Sequence, residues 1–212
     1  MDCKALLMFR REQMRNNMAD EQRYEHLIQL AVRGDTVAFE ELIRLCHSKA
    51  YAVAFRYMKN EQDAMDVVQE TYVRLFLKLK TFSYKSRFET WLIRIVINCC
   101  YDALRKQKKE RCVGEDVSEV IDFIEEAGPL GEYEHPEQAV ILAERQAVLQ
   151  RAVDALVPDH RDVIILREYE QYSYEEIADI LNVSQGTVKS RIHRAKQALR
   201  IILMEQNPDF FV

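Results

Sequence analysis

At 212 residues with 48% apolar content, the chain is long enough for two compact helical domains, and scarce glycine and proline, 5 and 4, weigh against a β-rich fold. Five cysteines (Cys3, Cys46, Cys99, Cys100 and Cys112) form no C-x-x-C pair and are odd in number, which argues against a disulfide framework and a thiolate metal site. A net charge of −5 excludes a uniformly basic nucleic-acid binder, so the distribution of charge decides more than its sum.

Residues 1–22 precede the first clear amphipathic segment and read as an optional or disordered extension. Its apolar run from Ala5 to Phe9 is too brief for a signal sequence or a membrane span, so a cytoplasmic protein is expected. From Tyr24 to about Lys59, apolar residues recur at helical spacing around an interruption at Gly34-Asp35, which predicts two helices and a turn. Asp63 to Leu79 is a further amphipathic run, with Ala64, Val67, Val68, Tyr72, Leu75, Phe76 and Leu79 inward and Asp63, Asp66, Gln69, Glu70, Arg74 and Lys78 outward. Thr81 to Arg87 breaks the period. Phe88 to Lys109 resumes it through Trp91, Leu92, Ile95, Val96, Cys99 and Leu104, where Phe88 and Trp91 read as core. Residues 23–111 thus form a first helical domain.

Residues 112–136 contain no Lys or Arg but carry Glu115, Asp116, Glu119, Asp122, Glu125, Glu126, Glu132 and Glu134 among glycine and proline breakers, the composition of a linker. Residues 137–204 form a second helical domain, and 205–212 a C-terminal tail. The fold class is therefore all-α: two helical domains joined by an acidic linker, the second ending in a helix-turn-helix. Basic residues concentrate on either side of the linker, from Lys85 to Arg111 and again from Ser184 to Arg200, where no acid occurs.

The last of these segments holds the most information. Ser173-Tyr-Glu-Glu176 has the form of a capping box, Ile177, Ala178 and Leu181 supply a buried face, Asn182-Val183 makes a tight turn, and Ser184 caps a second helix from Gln185 to about Arg200. Two short helices across such a turn place the second in a DNA major groove. Val188, Ile192, Ala195 and Leu199 share one face of it, while Gln185, Thr187, Lys189, Ser190, Arg191 and Arg194 lie elsewhere, offering donors and acceptors to base edges and cations to phosphates. Gly186 would let the backbone approach a phosphate closely.

From Tyr24 to Leu203 the chain resembles the bacterial RNA polymerase sigma-factor family, in its small two-domain extracytoplasmic-function class. Tyr174 to Leu199 resembles the family's region for the upstream promoter element. Asp63-Ala-Met-Asp-Val-Val-Gln-Glu-Thr-Tyr-Val-Arg74 resembles its polymerase-docking helix, and Phe88-Glu-Thr-Trp-Leu-Ile-Arg-Ile-Val-Ile-Asn98, with Asp102 and Arg105, its downstream-element helix. The resemblance implies a transcription initiation factor that binds core RNA polymerase at the β′ clamp and the β subunit, directs it to promoter DNA and promotes melting. It assigns polymerase binding to Asp63, Asp66, Gln69, Glu70 and Arg74. Downstream-element DNA falls to Phe82, Tyr84, Lys85, Ser86, Arg87, Asn98, Asp102 and Arg105, a set rich in the aromatic, polar and cationic groups that hold unstacked bases. Asn98 and Asp102 could equally bond one another along the helix, and Arg191 suits a phosphate contact or an internal ion pair. An anti-sigma partner, membrane-anchored in many relatives, is a further implication.

No metal-ligand spacing, phosphate loop or activated nucleophile accompanies these features, so neither metal, cofactor nor small-molecule substrate is expected, and no enzymatic activity. The competing reading is a stand-alone helix-turn-helix regulator that binds DNA as a dimer.

Overall fold

A computed structural model describes residues 21–113, 136–207 and 210. The chain divides into two compact units, one ending at Glu110 and the other beginning at Arg111, and among the described residues all regular structure is helical. The acidic segment 114–135, residues 1–20, and 208, 209, 211 and 212 of the tail lie outside the described residues.

The first unit contains α1 (residues 21–32), α2 (Thr36–Met58), α3 (Glu61–Lys78) and α4 (Phe88–Val113) as far as Glu110, with a single 3₁₀ turn at Leu79–Thr81. Gly34 ends α1 at φ 99°, a conformation that glycine adopts without a Cβ penalty. The Gly34 N–H bonds the Ala31 carbonyl and the Asp35 N–H bonds that of Leu30, which satisfies the last carbonyls of the helix. Asp35 then caps α2 by accepting from the Ala38 N–H at 3.0 Å. Asn60 does the same for α3, accepting from the Asp63 N–H at 2.8 Å. Ile28, Leu42, Val53, Val68, Leu75, Leu92, Ile93 and Val96 are fully buried and form the core.

One expectation about this core fails. Phe76, read as inward, is 59% exposed, and Tyr72 is half-buried, while Thr71 is fully buried. The buried stripe of α3 runs Ala64, Val67, Val68, Thr71 and Leu75, and Phe76 stands beside it. Thr71 fits the core because its hydroxyl donates to the Val67 carbonyl at 2.8 Å, leaving only its methyl to be packed.

Several boundaries also move. Glu21 and Gln22 belong to α1, Cys112 and Val113 continue α4, and the next described helix begins at Pro136. Proline suits a first helical position, because its missing N–H would have no partner there.

The second unit contains α5 (Pro136–Asp154), α6 (Pro158–Ile164), α7 (Tyr174–Leu181) and α8 (Gln185–Gln206), with α8 packed against the other three. A widened π-helical turn over Ile165–Tyr169, with no counterpart in the sequence reading, follows α6 and is closed by the Glu170 N–H bonding the Ile165 carbonyl at 3.1 Å. Val163, Ile165, Leu166, Ile177, Ile180, Val188, Ile192 and Ala195 fill this core, each large apolar side chain contributing about 1.5–3 kcal/mol by leaving water. Leu203 is buried as well, so α8 runs past Arg200 to Gln206.

Candidate nucleic-acid and protein interfaces

The helix-turn-helix is assembled by short-range bonds. Ser173 and Glu176 make both halves of the capping box: the Glu176 N–H donates to Ser173 Oγ at 3.2 Å, and the Ser173 N–H donates to Glu176 Oε2 at 2.9 Å. Asn182 ends α7 in the left-handed region at φ 54°, and the Val183 N–H returns to the Ala178 carbonyl. Ser184 then caps α8, accepting from the Thr187 N–H at 3.1 Å. Thr187 Oγ1 lies 2.9 Å from Ser184 Oγ, and the Ser190 hydroxyl donates to the Thr187 carbonyl. A Cβ on Gly186 would meet only Ser184 Oγ at 3.7 Å, so nothing within the unit demands glycine there.

The six residues assigned to upstream DNA separate into two groups. Gln185, Lys189, Ser190 and Arg194 are exposed, and Thr187 is half-buried beside them at the helix start. Arg191 is instead paired with Asp159 at 2.6 Å and only 24% exposed, the internal ion pair that its sequence position allowed.

In the first unit, α3 presents Asp66, Gln69 and Glu70 to solvent, as its sequence suggests. Asp63 and Arg74 are engaged within the unit. Asp63 accepts from Asn60 Nδ2 at 2.7 Å and from Gln107 Nε2 at 2.8 Å, linking α3 to α4. Arg74 donates to Glu70 at 2.8 Å and, through Nη1, to Asp102 at 2.6 Å. Beyond these lies a feature that the sequence reading missed: Val73, Phe76 and Leu77 are 55%, 59% and 71% exposed. Helical spacing carried forward from Asp66 through Gln69 and Glu70 reaches Val73 and Leu77, which the sequence reading assigns to neither face, whereas it places Phe76 inside.

The downstream set sits on the 82–87 loop and on α4. Tyr84 adopts φ 55° and is 47% exposed, an uncommon conformation for a bulky residue. Phe82 lies half-buried among three rings, with centroids 4.8 Å from Tyr84, 5.7 Å from Phe88 and 5.0 Å from Trp91. Phe88 is buried, as expected for core, and Trp91 is half-buried. Lys85 is exposed, Ser86 is half-buried, and Arg87 bonds Glu21 at 2.7 Å. Asn98 is exposed and has no side-chain partner among the described residues. Asp102 accepts from both Arg74 and Arg105, which resolves its open alternative in favour of these cations rather than Asn98. The hydrogen bonds from Arg74 and Arg105 hold its carboxyl below the ordinary carboxylate range.

Among the described residues, no group of three or more His, Cys, Asp or Glu could hold a metal ion, and no helix is long and apolar enough to cross a membrane. Cys46, Cys99 and Cys100 are buried, and burial pushes the Cys46 thiol up to about 12.

Residues 42–110 match the family model for Sigma-70 region 2, and residues 146–199 that for Sigma-70 region 4. The ECF RNA polymerase sigma factor SigW of Bacillus subtilis is 32% identical over 79% of this chain and 90% of its own length. The chain belongs to the ECF RNA polymerase sigma factors. The sigma-E factor of Escherichia coli is 35% identical over 82% of this chain and 90% of its own. Among solved structures, the sigma factor RpoE of Bartonella quintana, crystallised with the anti-sigma factor NepR, is 27% identical with a TM-score of 0.57, covering 78% of this chain and 96% of that one. CnrH, in complex with the cytosolic domain of CnrY, shares the fold at 24% identity and a TM-score of 0.59, over 85% of this chain and 97% of that one. The function is that of an alternative sigma factor.

Proposed function

We propose that this sigma factor acts in the cytoplasm, where it docks on the β′ clamp of core RNA polymerase through the outer face of α3, contacts the β subunit as well, and reads promoter DNA at two places. The 82–87 loop and α4 take the downstream element, with Tyr84, Lys85 and Asn98 as its most open groups. The N-terminal half of α8 takes the upstream element through Gln185, Thr187, Lys189, Ser190 and Arg194. It supplies no catalytic group and requires no metal or cofactor. The single observation that carries this reading is the outer face of α3, where exposed Val73, Phe76 and Leu77 adjoin Asp66, Gln69 and Glu70. A helix meant only for solvent has little reason to display three large apolar side chains beside an acidic group, whereas an interface centre combines apolar anchors with a charged rim.

The relation to RpoE, crystallised with an anti-sigma factor, supports a similar inhibitory partner here, either soluble or membrane-anchored. Run-off transcription from a genomic-fragment library, using purified bacterial core polymerase with and without the chain, tests the whole reading. New start sites that depend on the chain are expected. Sequence-selective footprints from the chain alone, with no new start sites, would instead favour the stand-alone dimeric regulator. Leu77→Asp should weaken binding to core polymerase by about tenfold, without altering the fold, because Leu77 is exposed.

A further inference from the structure

Two cations of α8 are held by acids that lie far away in sequence. Arg191 Nη2 sits 2.6 Å from Asp159 Oδ2, and Lys196 Nζ sits 2.8 Å from Glu168 Oε1. Asp159 belongs to the first turn of α6, and Glu168 reaches α8 from the widened turn that follows. Lys189, Arg194 and Arg200, by contrast, form no ion pair among the described residues. A helix whose sequence contains five cations and no acid between Ser184 and Arg200 therefore presents its charge unevenly once folded.

This division has a direct electrostatic consequence. Every phosphate contact releases counterions and strengthens binding to all DNA sequences alike. A cation already paired within its own domain must break that pair before it can serve a phosphate. Exposed pairs are individually weak, but Arg191 is only 24% exposed and its partner is always at hand, so the local pair competes well.

We infer that Asp159 and Glu168 are positioning residues that withhold Arg191 and Lys196 from the DNA backbone, lowering the affinity of the sigma factor for DNA of any sequence. The inference rests on the reading of α8 as the upstream-element helix. Its role is to keep the chain off bulk DNA, whose competing sites far outnumber promoters, so that base contacts through Lys189, Ser190 and Arg194 act when polymerase supplies the remaining affinity.

The test is binding of the full chain to a short mixed-sequence duplex, followed by fluorescence anisotropy across a salt series. Asp159→Asn and Glu168→Gln should each tighten binding and steepen the dependence of log affinity on log salt by about 0.9, an advantage that grows about 3.5-fold for each fourfold drop in salt. The effect of Asp159→Asn should vanish in an Arg191→Ala background, and that of Glu168→Gln in a Lys196→Ala background, since each acid acts through its cation. Glu175→Gln, which removes an exposed acid from α7, measures plain loss of repulsion. If Asp159→Asn and Glu168→Gln leave the salt slope unchanged, do no more than Glu175→Gln, or keep their effects without their cations, the inference is overturned. Loss of binding in Arg194→Ala shows that α8 meets DNA, so failure of the acid variants then counts against the inference alone. An Arg194→Ala chain that binds as the unaltered chain does would instead remove the reading of α8 and the inference with it.

Discussion

In the second unit, the turn ahead of α8 is made by neighbours: Asn182 in the left-handed region, Val183 bonding back to Ala178, and Ser184 capping the helix that follows. In the first unit, the loop ahead of α4 combines neighbouring ring contacts with a tie to a distant helix, and α4 itself is tied to α3. Arg87 is tied to Glu21 in α1, Phe82 rests on Phe88 and Trp91, and Asp102 on α4 is tied to Arg74 on α3. The turn that presents one basic surface is thus fixed by local backbone chemistry, although Arg191 and Lys196 on that surface are tied to distant acids, whereas the loop that presents the other is held from α1 as well. A locally fixed surface should tolerate damage elsewhere in its unit, whereas a surface assembled from distant parts should lose shape as soon as its core loosens.

The largest effect comes from loosening each core. Leu75→Ala in α3 and Ile177→Ala in α7 both remove a fully buried branched side chain and should each cost about 2–5 kcal/mol in urea unfolding. Hydrogen exchange on the folded variants then sharpens the comparison. Leu75→Ala should deprotect amides of the 82–87 loop, while Ile177→Ala should leave the Thr187 amide at the Ser184 cap protected longer than the amides of α7. Equal deprotection of both regions would remove the distinction.

Tyr84 gives the next largest effect, because its backbone conformation and its ring can be separated. At φ 55° a side chain costs about 1–2 kcal/mol that glycine does not. Tyr84→Gly should therefore be more stable than Tyr84→Ala, by roughly 1 kcal/mol in thermal unfolding after allowance for glycine's larger chain entropy. Both should impair open-complex formation alike if the exposed ring holds an unstacked base. Ser184→Ala comes third, costing about 1 kcal/mol as an N-cap loss. It also releases the Thr187 hydroxyl, so upstream-element binding should weaken more than the thermal shift alone would suggest.

The same contrast explains what was legible in the sequence. The capping box at Ser173 and Glu176, the turn at Asn182 and the cap at Ser184 are short-range patterns, and each has the geometry that its residues imply. Helical periodicity located α2, α3 and α4 because burial follows spacing over several turns. It failed at Phe76, where an apolar residue stands beside the buried stripe and Thr71 takes the inner position by satisfying its own hydroxyl. The π-helical turn at Ile165–Tyr169 left no trace, since no residue type specifies an added residue in a helix. Ion pairs such as Arg191 with Asp159 and Arg74 with Asp102 join segments whose approach depends on the packed fold, so charge counted along the chain could not assign them.

The smallest expected effect concerns Asp102, and it bears most directly on how the first unit is held. Hydrogen bonds from Arg74 and Arg105 depress its folded-state pKa below the ordinary value of 3.8. A depressed carboxylate contributes stability that is fully present above its unfolded value and is lost as pH falls through the folded one. With Asp102 39% exposed, solvent screening limits that contribution to below about 1 kcal/mol. Asp102→Asn should therefore cost little at neutral pH and nothing once the pH lies beneath the folded value, so its stability curve should converge with that of the unaltered chain in acid. Arg74→Ala should reproduce the convergence, because the same bond is broken from its other end. If Asp102→Asn instead abolished downstream-element binding while Arg74→Ala left it intact, the carboxylate would be meeting DNA itself, and the link from α3 would not be what shapes that surface.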